Sequence, residues 1–412
     1  MSNGQNGKET GGKNMIVQKY QDMLGMKSVI REISAYANAR GKEIGYENVF
    51  DYSLGNPSVP VPEKFNRVIK ELVDTREPIA LHGYSPGHGL PEVREKVAAY
   101  LSKRYGLPYK MEHIFMTSAA AGAIAHAARA VAKEGDEILT FAPFFPEYVP
   151  YIKETGAELK VVPADTESFQ INFEAFESMC TEKTAALLIN TPNNPSGVVY
   201  STETIKKLAQ ILKEKEAKYG HPIYIISDEP YREIVFAGVD NPCISALYDN
   251  TLMCYSFSKS LSIPGERIGY LAVCPHCADA ELIVDMCTQI SRGIGHNCPS
   301  SLIQLAVAEM LGETSDLSVY ETNMNILYKE LTDLGFTCVK PGGTFYIFPK
   351  APIEDAKVFC KDAQKYDLCM VPSDSFCCPG YFRLSYCIQT EKVERSLEAL
   401  RKIAKDYGME KR

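Results

Sequence analysis

Lys259 and Asp228 each stand at the end of a short apolar run, residues 252–256 and residues 223–227. A lysine amine can form a Schiff base with an aldehyde, and a carboxylate at a buried strand end can pair with a protonated ring nitrogen. Ligands of open parallel sheets bind beyond the carboxyl ends of the strands. We therefore expect both side chains at one rim of a sheet, facing a ligand that carries an aldehyde and a ring nitrogen.

Residues that follow the other runs supply a phosphate site and an aromatic face. Ala120 and Ala121 open a predicted helix, and the backbone N–H groups of such a helix N-terminus bind phosphate. Ser256 and Arg267 can add a hydroxyl and a guanidinium to that phosphate. Phe145 offers a ring on which a flat ligand can stack. Phosphate, ring, ring nitrogen and aldehyde together describe pyridoxal phosphate.

A parallel sheet with crossover helices is the architecture that must position these side chains. The apolar runs alternate with helical patterns, which is typical of such a sheet. The runs lie at residues 114–117, 138–141, 185–190, 223–227, 252–256 and 270–273. Helical patterns lie between them at 119–134 and 203–218, the second with Ser201 as a plausible N-cap. The pattern predicts a large three-layer α/β/α domain with a mainly parallel sheet.

The pattern changes near residue 300, which predicts a second, smaller α+β domain. Long amphipathic helices are expected at 302–311, 318–334 and 392–407, with a short sheet around 345–348. We expect residues 1–14 to be a disordered leader and residues 15–62 to form an N-terminal arm and part of the small domain. Residues 63–300 would form the large cofactor-binding domain, and residues 301–412 the C-terminal small domain.

Bulk composition narrows the class of protein. The chain has 412 residues, of which 45% are hydrophobic and 23% charged, which suits two packed domains. A net charge of −8 argues against a nucleic-acid partner, because phosphate contacts need a clustered basic surface. No apolar run is long enough to cross a bilayer, so no membrane partner is expected. Thirteen scattered cysteines behind a polar N-terminus favour reduced thiols and a cytoplasmic location.

Five motifs occur in an order that spans most of the chain. They read YSPGHGLPEVR at 84–94, NNPSG at 193–197, SDEPY at 227–231, SFSKS at 256–260 with GERIG at 265–269, and FRLS at 382–385. Together they resemble the class I/II aminotransferases of fold type I, the family that includes aspartate aminotransferase. The resemblance implies a homodimeric, pyridoxal-phosphate-dependent enzyme that moves an amino group between an amino acid and a 2-oxo acid.

The same resemblance implies how the cofactor is held. Lys259 would be the Schiff-base lysine and, once the substrate has freed it, the group that moves the Cα proton. Asp228 would keep the ring nitrogen protonated, which makes the ring an electron sink. Tyr231 and Asn194 would hydrogen-bond the phenolic oxygen of the ring. The phosphate would be bound, with Tyr84 reaching it from the partner subunit, by Ala120, Ala121, Ser256 and Arg267.

Three further residues are implied in binding the substrate. Arg383 would clamp the α-carboxylate in a bidentate geometry, and the backbone at Gly55 would pass close to the substrate, beside Asn194. Arg292 stands where dicarboxylate-specific relatives place an arginine for the distal carboxylate, which favours aspartate or glutamate as the amino donor. The alternative for Arg292 is an exposed or dimer-interface arginine.

The sequence leaves two alternative functions and one alternative kind of site to consider. A β-eliminating carbon–sulfur lyase shares the cofactor and fold, although such enzymes often carry a histidine after the Asp-Glu pair. An amino-acid-sensing regulator also shares the fold, but it would need a fused DNA-binding domain. Cys274 and Cys277 have the spacing of a redox or zinc pair, yet no second pair stands at a suitable spacing. We expect them, like Cys377 and Cys378, to be structural thiols.

Overall fold

The structure is a computed structural model that describes residues 17–25 and 28–409. The predicted leader at residues 1–14 lies outside the described residues. Within the described ranges, no helix combines the length and the apolar character needed to span a bilayer.

A seven-stranded sheet forms the centre of the larger domain. Its strands are β2 (Ile114–Thr117), β3 (Glu137–Phe141), β4 (Glu158–Val162), β5 (Thr184–Asn190), β6 (Tyr224–Asp228), β7 (Thr251–Ser256) and β8 (Gly269–Val273). They are ordered β2-β8-β7-β6-β5-β3-β4, and only β8 runs antiparallel to its neighbours. β2, β3, β7 and β8 are buried along their whole length, as expected for strands covered by helices on both faces.

Helices cover both faces of this sheet, and successive strand residues pack on opposite sides. The helices of the larger domain are α3 (Glu63–Thr75), α4 (Pro78–His82), α5 (Pro91–Tyr105), α6 (Ala119–Val131), α7 (Tyr148–Lys153), α8 (Phe173–Met179), α9 (Thr202–Tyr219), α10 (Phe257–Ser260), α11 (Ala280–Ile294) and α12 (Ser301–Ala308). Ile138 packs in one core with α6, α7 and α11, whereas Leu139 packs in another with α8 and α9. This alternation of core contacts produces the three layers.

The smaller domain joins the two ends of the chain. Its elements are α2 (Val29–Ile44), β1 (Phe50–Asp51), α13 (Ser318–Asp333), β9 (Tyr346–Ile347), α14 (Ala356–Ala363), β10 (Leu368–Cys369), β11 (Val371–Pro372), β12 (Phe382–Ser385) and α15 (Thr390–Asp406). The first helix, α1 (Gln18–Gly25), instead pairs its Lys19 with Glu154 at the end of α7. β1 pairs in parallel with β10, and β11, β12 and β9 form an antiparallel sheet. Helices α13, α14 and α15 bury their apolar faces against β12 and its neighbours.

Every strand and helix that the sequence pattern predicted is present, although two of the helices end early and other elements, β4 among them, were not predicted. β4 was not predicted, because Glu158–Val162 carries a glutamate and a lysine and is only partly buried at the sheet edge. The helix expected at 302–311 ends at Ala308, and its Ile303 and Leu305 pack into a core of the seven-stranded sheet. The helix expected at 119–134 ends at Val131. The proposed domain limits at residues 62 and 300 stay predictions.

Candidate active site

One cavity of about 330 Å³ lies at the carboxyl ends of the parallel strands. β5, β6 and β7 end at Asn190, Asp228 and Ser256, and their register places these three strand ends side by side. Lys259 follows in α10, because the chain turns into that short helix as soon as β7 ends. The sheet topology therefore brings together side chains that are far apart in the sequence.

The amine of Lys259 lies inside this cavity in an unusual electrostatic environment. Its Nζ donates to the carbonyl oxygen of Gly55 at 2.6 Å and lies 5.4 Å from the centre of the Phe345 ring. Burial lowers the pKa of Lys259 to about 8, and the charges of Arg267 and Arg383 act in the same direction. A lysine whose pKa is lowered in this way is more often neutral near pH 7, the form that attacks an aldehyde.

Asp228 presents one carboxylate oxygen to the cavity and uses the other within the protein. Its Oδ2 accepts a hydrogen bond of 2.6 Å from the hydroxyl of Tyr148, whereas its Oδ1 finds no hydrogen-bond partner in the described part of the chain. Burial raises the pKa of Asp228 to about 7, and the Tyr148 hydrogen bond opposes that rise. A buried acceptor without a partner is costly, so Oδ1 is suited to a ligand donor such as a ring N–H.

The cradle for an anion is built from the start of α6 and from the turn after β7. Ala119 has a φ of 63°, which turns the chain from β2 directly into α6. Ala120, with Ala121 beside it, lines the cavity at this helix N-terminus. Small side chains there let a ligand approach the first N–H groups of the helix.

Ser256 and Arg267 line the same end of the cavity. The Ser256 Oγ contacts the Oγ of Ser258 at 2.8 Å. Arg267 is exposed, and its Nη1 donates to the carbonyl oxygen of Pro264 at 2.9 Å. Two hydroxyls and a guanidinium thus stand beside the helix N-terminus, a donor set that suits a phosphate.

Arg383 is almost fully buried, with 2% of its surface exposed, and is anchored by two hydrogen bonds. Its Nη1 donates to the Oδ1 of Asn194 at 3.0 Å, and its Nη2 donates to the carbonyl oxygen of Ser53 at 2.5 Å. Its Nε has no partner within the described ranges. Burial lowers the pKa of Arg383. No carboxylate pairs with it in the described chain, so the guanidinium is oriented to receive one from a ligand.

The remaining predicted residues divide into two groups. Phe145, Tyr231, Asn194 and Gly55 line the Lys259 cavity. Tyr84 and Arg292 do not, and instead line a separate surface concavity of about 650 Å³ formed by residues 81–87 and 288–302. Tyr84 is fully exposed, and Arg292 is exposed with its Nη1 bonded to the side chain of Gln289.

The sequence analysis assigned no role to Ser258, Tyr346 and Arg31, which line the cavity, or to Tyr148, which donates a hydrogen bond to Asp228. Tyr148 ends the aromatic turn after β3, and Ser258 lies inside the lysine motif, so their positions in the sequence offered a signal. Tyr346 was read only as part of a short strand. Arg31 lies in the first turn of α2 at the mouth of the cavity, a place that only the tertiary structure determines.

The arrangement fits pyridoxal phosphate group by group. The unpartnered Oδ1 of Asp228 fits a pyridinium N–H, and the half-buried ring of Phe145 fits a flat ring. The donors around the start of α6 fit a phosphate, and the amine of Lys259 fits an aldehyde. The unpartnered Nε of Arg383 leaves a place for a substrate carboxylate.

Comparison with known proteins finds similarity to aminotransferases over most of the chain. The family model described as "Aminotransferase class I and II" matches residues 47–400. An aromatic-amino-acid aminotransferase of Thermococcus litoralis is 30% identical, covering 88% of this chain and 93% of the relative. An aspartate aminotransferase of Thermotoga maritima is also 30% identical, covering 90% and 94%. The crystal structure of an aminotransferase from Eubacterium rectale superposes with a TM-score of 0.92 at 44% identity, covering 96% of this chain and 100% of that one.

Proposed function

Because the chain belongs to the class I and II aminotransferase family, and so uses pyridoxal 5′-phosphate, we propose that it moves the amino group of aspartate or glutamate to a 2-oxo acid, with Lys259 as the catalytic base. The observation that carries this assignment is the meeting of Lys259, Asp228 and Arg383 in one cavity, where Oδ1 of Asp228 and Nε of Arg383 have no partner within the described chain. When bound, the cofactor supplies the aldehyde and the electron sink that amino-group transfer requires.

Lys259 and Asp228 perform the proton chemistry of the proposed reaction. Nζ of Lys259 would hold the cofactor through its aldehyde group and, once freed by the substrate amine, would take the proton from the substrate Cα. Its lowered pKa suits this task, because a base works best when its pKa lies near the working pH. Oδ1 of Asp228 keeps the proton on the ring nitrogen, and the hydrogen bond from Tyr148 holds the carboxylate in place.

The other residues bind and orient. Tyr231 would donate to the phenolic oxygen of the ring, and Asn194 would offer its amide N–H to the same atom, since its Oδ1 is already bonded to Arg383. Phe145 stacks on the ring, and the start of α6 with Ser256 and Arg267 binds the phosphate. Arg383 clamps the substrate α-carboxylate, and Gly55 passes beside the substrate.

We propose that the enzyme acts as a homodimer in which the surface around Tyr84 and Arg292 faces the other active site. Large apolar side chains are exposed on the nearby helices α4 and α11, namely Ile79, Leu282, Met286 and Ile294. Apolar side chains grouped on one surface are typical of an interface. In this dimer Tyr84 of the partner subunit reaches the phosphate, and Arg292 of the partner subunit receives the side-chain carboxylate of the substrate.

We place the enzyme in the cytoplasm. All thirteen cysteines are free in the structure, including Cys274 and Cys277, which are buried. Free thiols in this number are typical of a reducing compartment.

The assignment is tested by the absorbance of the purified, cofactor-loaded protein. Aspartate or glutamate should abolish the visible band, and a 2-oxo acid such as 2-oxoglutarate should restore it. The variant Lys259→Ala should lack both responses, because it has no amine to hold the cofactor or to move the proton. If an amino acid with a leaving group on Cβ releases ammonia and pyruvate while the visible band persists, the protein is a lyase and the proposal is refuted.

The acidic substrate preference is tested by two matched arginine variants. Arg292→Leu should lower kcat/KM for aspartate by about 10-fold to 150-fold while sparing alanine, because a charge-assisted hydrogen bond contributes about 1.5–3 kcal/mol. Arg31→Leu removes the same charge at the cavity mouth and should leave the aspartate-to-alanine ratio nearly unchanged. If only Arg31→Leu abolishes the preference, the receptor is Arg31 of the same chain and our assignment of Arg292 is wrong.

A further inference from the structure

Tyr346 lies against two functional groups of the active site, the hydroxyl of Tyr231 and the guanidinium of Arg383. It begins β9, has 3% of its surface exposed and lines the Lys259 cavity. The register of the small sheet pairs it with Ser385 of β12. Arg383 stands two residues before Ser385 and therefore points to the same face of the sheet.

The ring of Tyr346 forms one side of a slot for the guanidinium of Arg383. The guanidinium carbon lies 4.6 Å from the centre of the Tyr346 ring and 5.1 Å from the centre of the Phe376 ring. Aromatic faces attract cations at such distances, and more strongly where water is excluded. The two rings, with the hydrogen bonds to Asn194 and Ser53, restrict the guanidinium to one orientation.

The hydroxyl of Tyr346 contacts the other functional group, Tyr231. The two hydroxyl oxygens are 3.2 Å apart, and both side chains are buried. A phenol has only one proton to donate. If Tyr231 gives its proton to the phenolic oxygen of the cofactor, the proton between the two tyrosines must come from Tyr346.

The absence of a side chain at Gly55 leaves the space that the Tyr346 hydroxyl occupies. A Cβ added to Gly55 would overlap the Tyr346 hydroxyl and would lie 3.0 Å from the ring of Phe345. The carbonyl oxygen of Gly55 also accepts the hydrogen bond from Lys259. Tyr346 therefore packs against the backbone segment that the Schiff-base lysine contacts.

We propose that Tyr346 is a positioning residue that links the substrate-carboxylate site at Arg383 to the hydroxyl of Tyr231, with its ring holding the guanidinium and its hydroxyl donating to Tyr231. The inference rests on the proposed function, because it assigns Tyr231 to the cofactor's phenolic oxygen and Arg383 to the substrate. It adds a residue through which occupation of the carboxylate site can alter the proton affinity of the Lys259 Schiff base.

The two parts of the side chain have separable effects. Without the Tyr346 hydroxyl, Tyr231 loses its donor and becomes a weaker donor itself, since linked hydrogen bonds strengthen one another. The phenolic oxygen is then less stabilised as an anion, and the Schiff base keeps its proton to higher pH. Without the ring, the guanidinium of Arg383 loses one wall of its slot and binds a carboxylate more weakly.

The test uses the cofactor-loaded enzyme and two readouts that need no turnover. The first is the pKa of the visible absorbance band, and the second is the Kd of propionate, measured from its effect on that band. Tyr346→Phe should raise the pKa of the visible band by about 0.3–1 pH unit, a twofold to tenfold change in proton affinity. It should leave the Kd of propionate within about twofold of the wild-type value. Tyr346→Leu should also raise the Kd of propionate by roughly threefold to thirtyfold.

Tyr320→Phe is the matched control. Tyr320 is fully buried in the same core, and its ring centre lies 5.2 Å from that of Phe345. The variant Tyr320→Phe removes a tyrosine hydroxyl and leaves Tyr231 and Arg383 unchanged, so both readouts should match those of the wild type. If Tyr346→Phe titrates like the wild type, or if Tyr320→Phe shifts equally, the proposal for Tyr346 is wrong. A wild-type protein without a visible band would instead overturn the proposed function.

Discussion

Replacing Asp228 by asparagine should change how the stability of the cofactor-free protein depends on pH. Asp228 is 5% exposed, and burial raises the pKa of its carboxyl from an ordinary 3.8 to about 7. Between these two pH values the folded protein holds a proton that the unfolded chain has released. Stability therefore declines as the pH rises above about 4, and the loss is complete above about 7.

The size of the decline follows from the two pKa values. Each pH unit between them is worth about 1.4 kcal/mol, so the whole loss is about 4 kcal/mol, and about 2.5 kcal/mol of it falls between pH 5 and pH 8. Asp228→Asn cannot ionise and is free of this loss. Its free energy of unfolding, relative to the wild type, should rise by about that 2.5 kcal/mol over the same range.

Urea unfolding of the cofactor-free proteins at several pH values between 5 and 8 measures this difference. Tyr148→Phe removes the hydrogen bond that lowers the pKa of Asp228, so in that variant the decline should extend to higher pH. Bound pyridoxal phosphate should remove the advantage of Asp228→Asn, because a protonated ring nitrogen compensates the buried charge. Parallel stability curves for the wild type and Asp228→Asn without cofactor would refute the reasoning.

Three further predictions concern the same framework. Arg383→Lys should retain the visible band but lower kcat/KM by about 100-fold, because an ammonium cannot replace the bidentate clamp; unchanged kinetics would contradict this. Gly55→Ala should lower the thermal unfolding temperature and raise KM, whereas Gly293→Ala in α11, with no atom within 4 Å of the added carbon, should not. Glu229→Gln should cost about 3–5 kcal/mol in urea unfolding, because it leaves a buried arginine without its ion pair. Lys402→Met breaks an exposed pair and should leave that free energy nearly unchanged.

The residues that follow the apolar runs show which features of the site the local sequence can predict. Asn194, Asp228, Ser256 and Lys259 were placed at one rim because parallel strands end on the same side, and they do line one cavity. β4 escaped prediction because an edge strand with charged side chains lacks an apolar run. The Ser201 cap was predicted correctly, since its hydroxyl accepts from the N–H of Thr204 three residues away.

Contacts between segments that are distant along the chain could not be predicted from the sequence. Arg383 is 189 residues from Asn194 and 330 from Ser53, its two hydrogen-bond partners. Arg31 comes to the cavity mouth only because α2 packs over it, and Tyr346 faces Arg383 only through the register of β9 and β12. Sequence spacing contains no information about such contacts.

The sequence by itself determined the family chemistry, because the motifs around Lys259, Asp228 and Arg383 are short and can be recognised by their order along the chain. It also determined the three-layer α/β/α domain, since apolar runs and amphipathic helices are local patterns. Only the tertiary structure decided that Tyr84 and Arg292 lie on a surface apart from Lys259, and that Tyr346 lies between Tyr231 and Arg383. Those relations depend on packing and strand register, which are set by the whole chain at once.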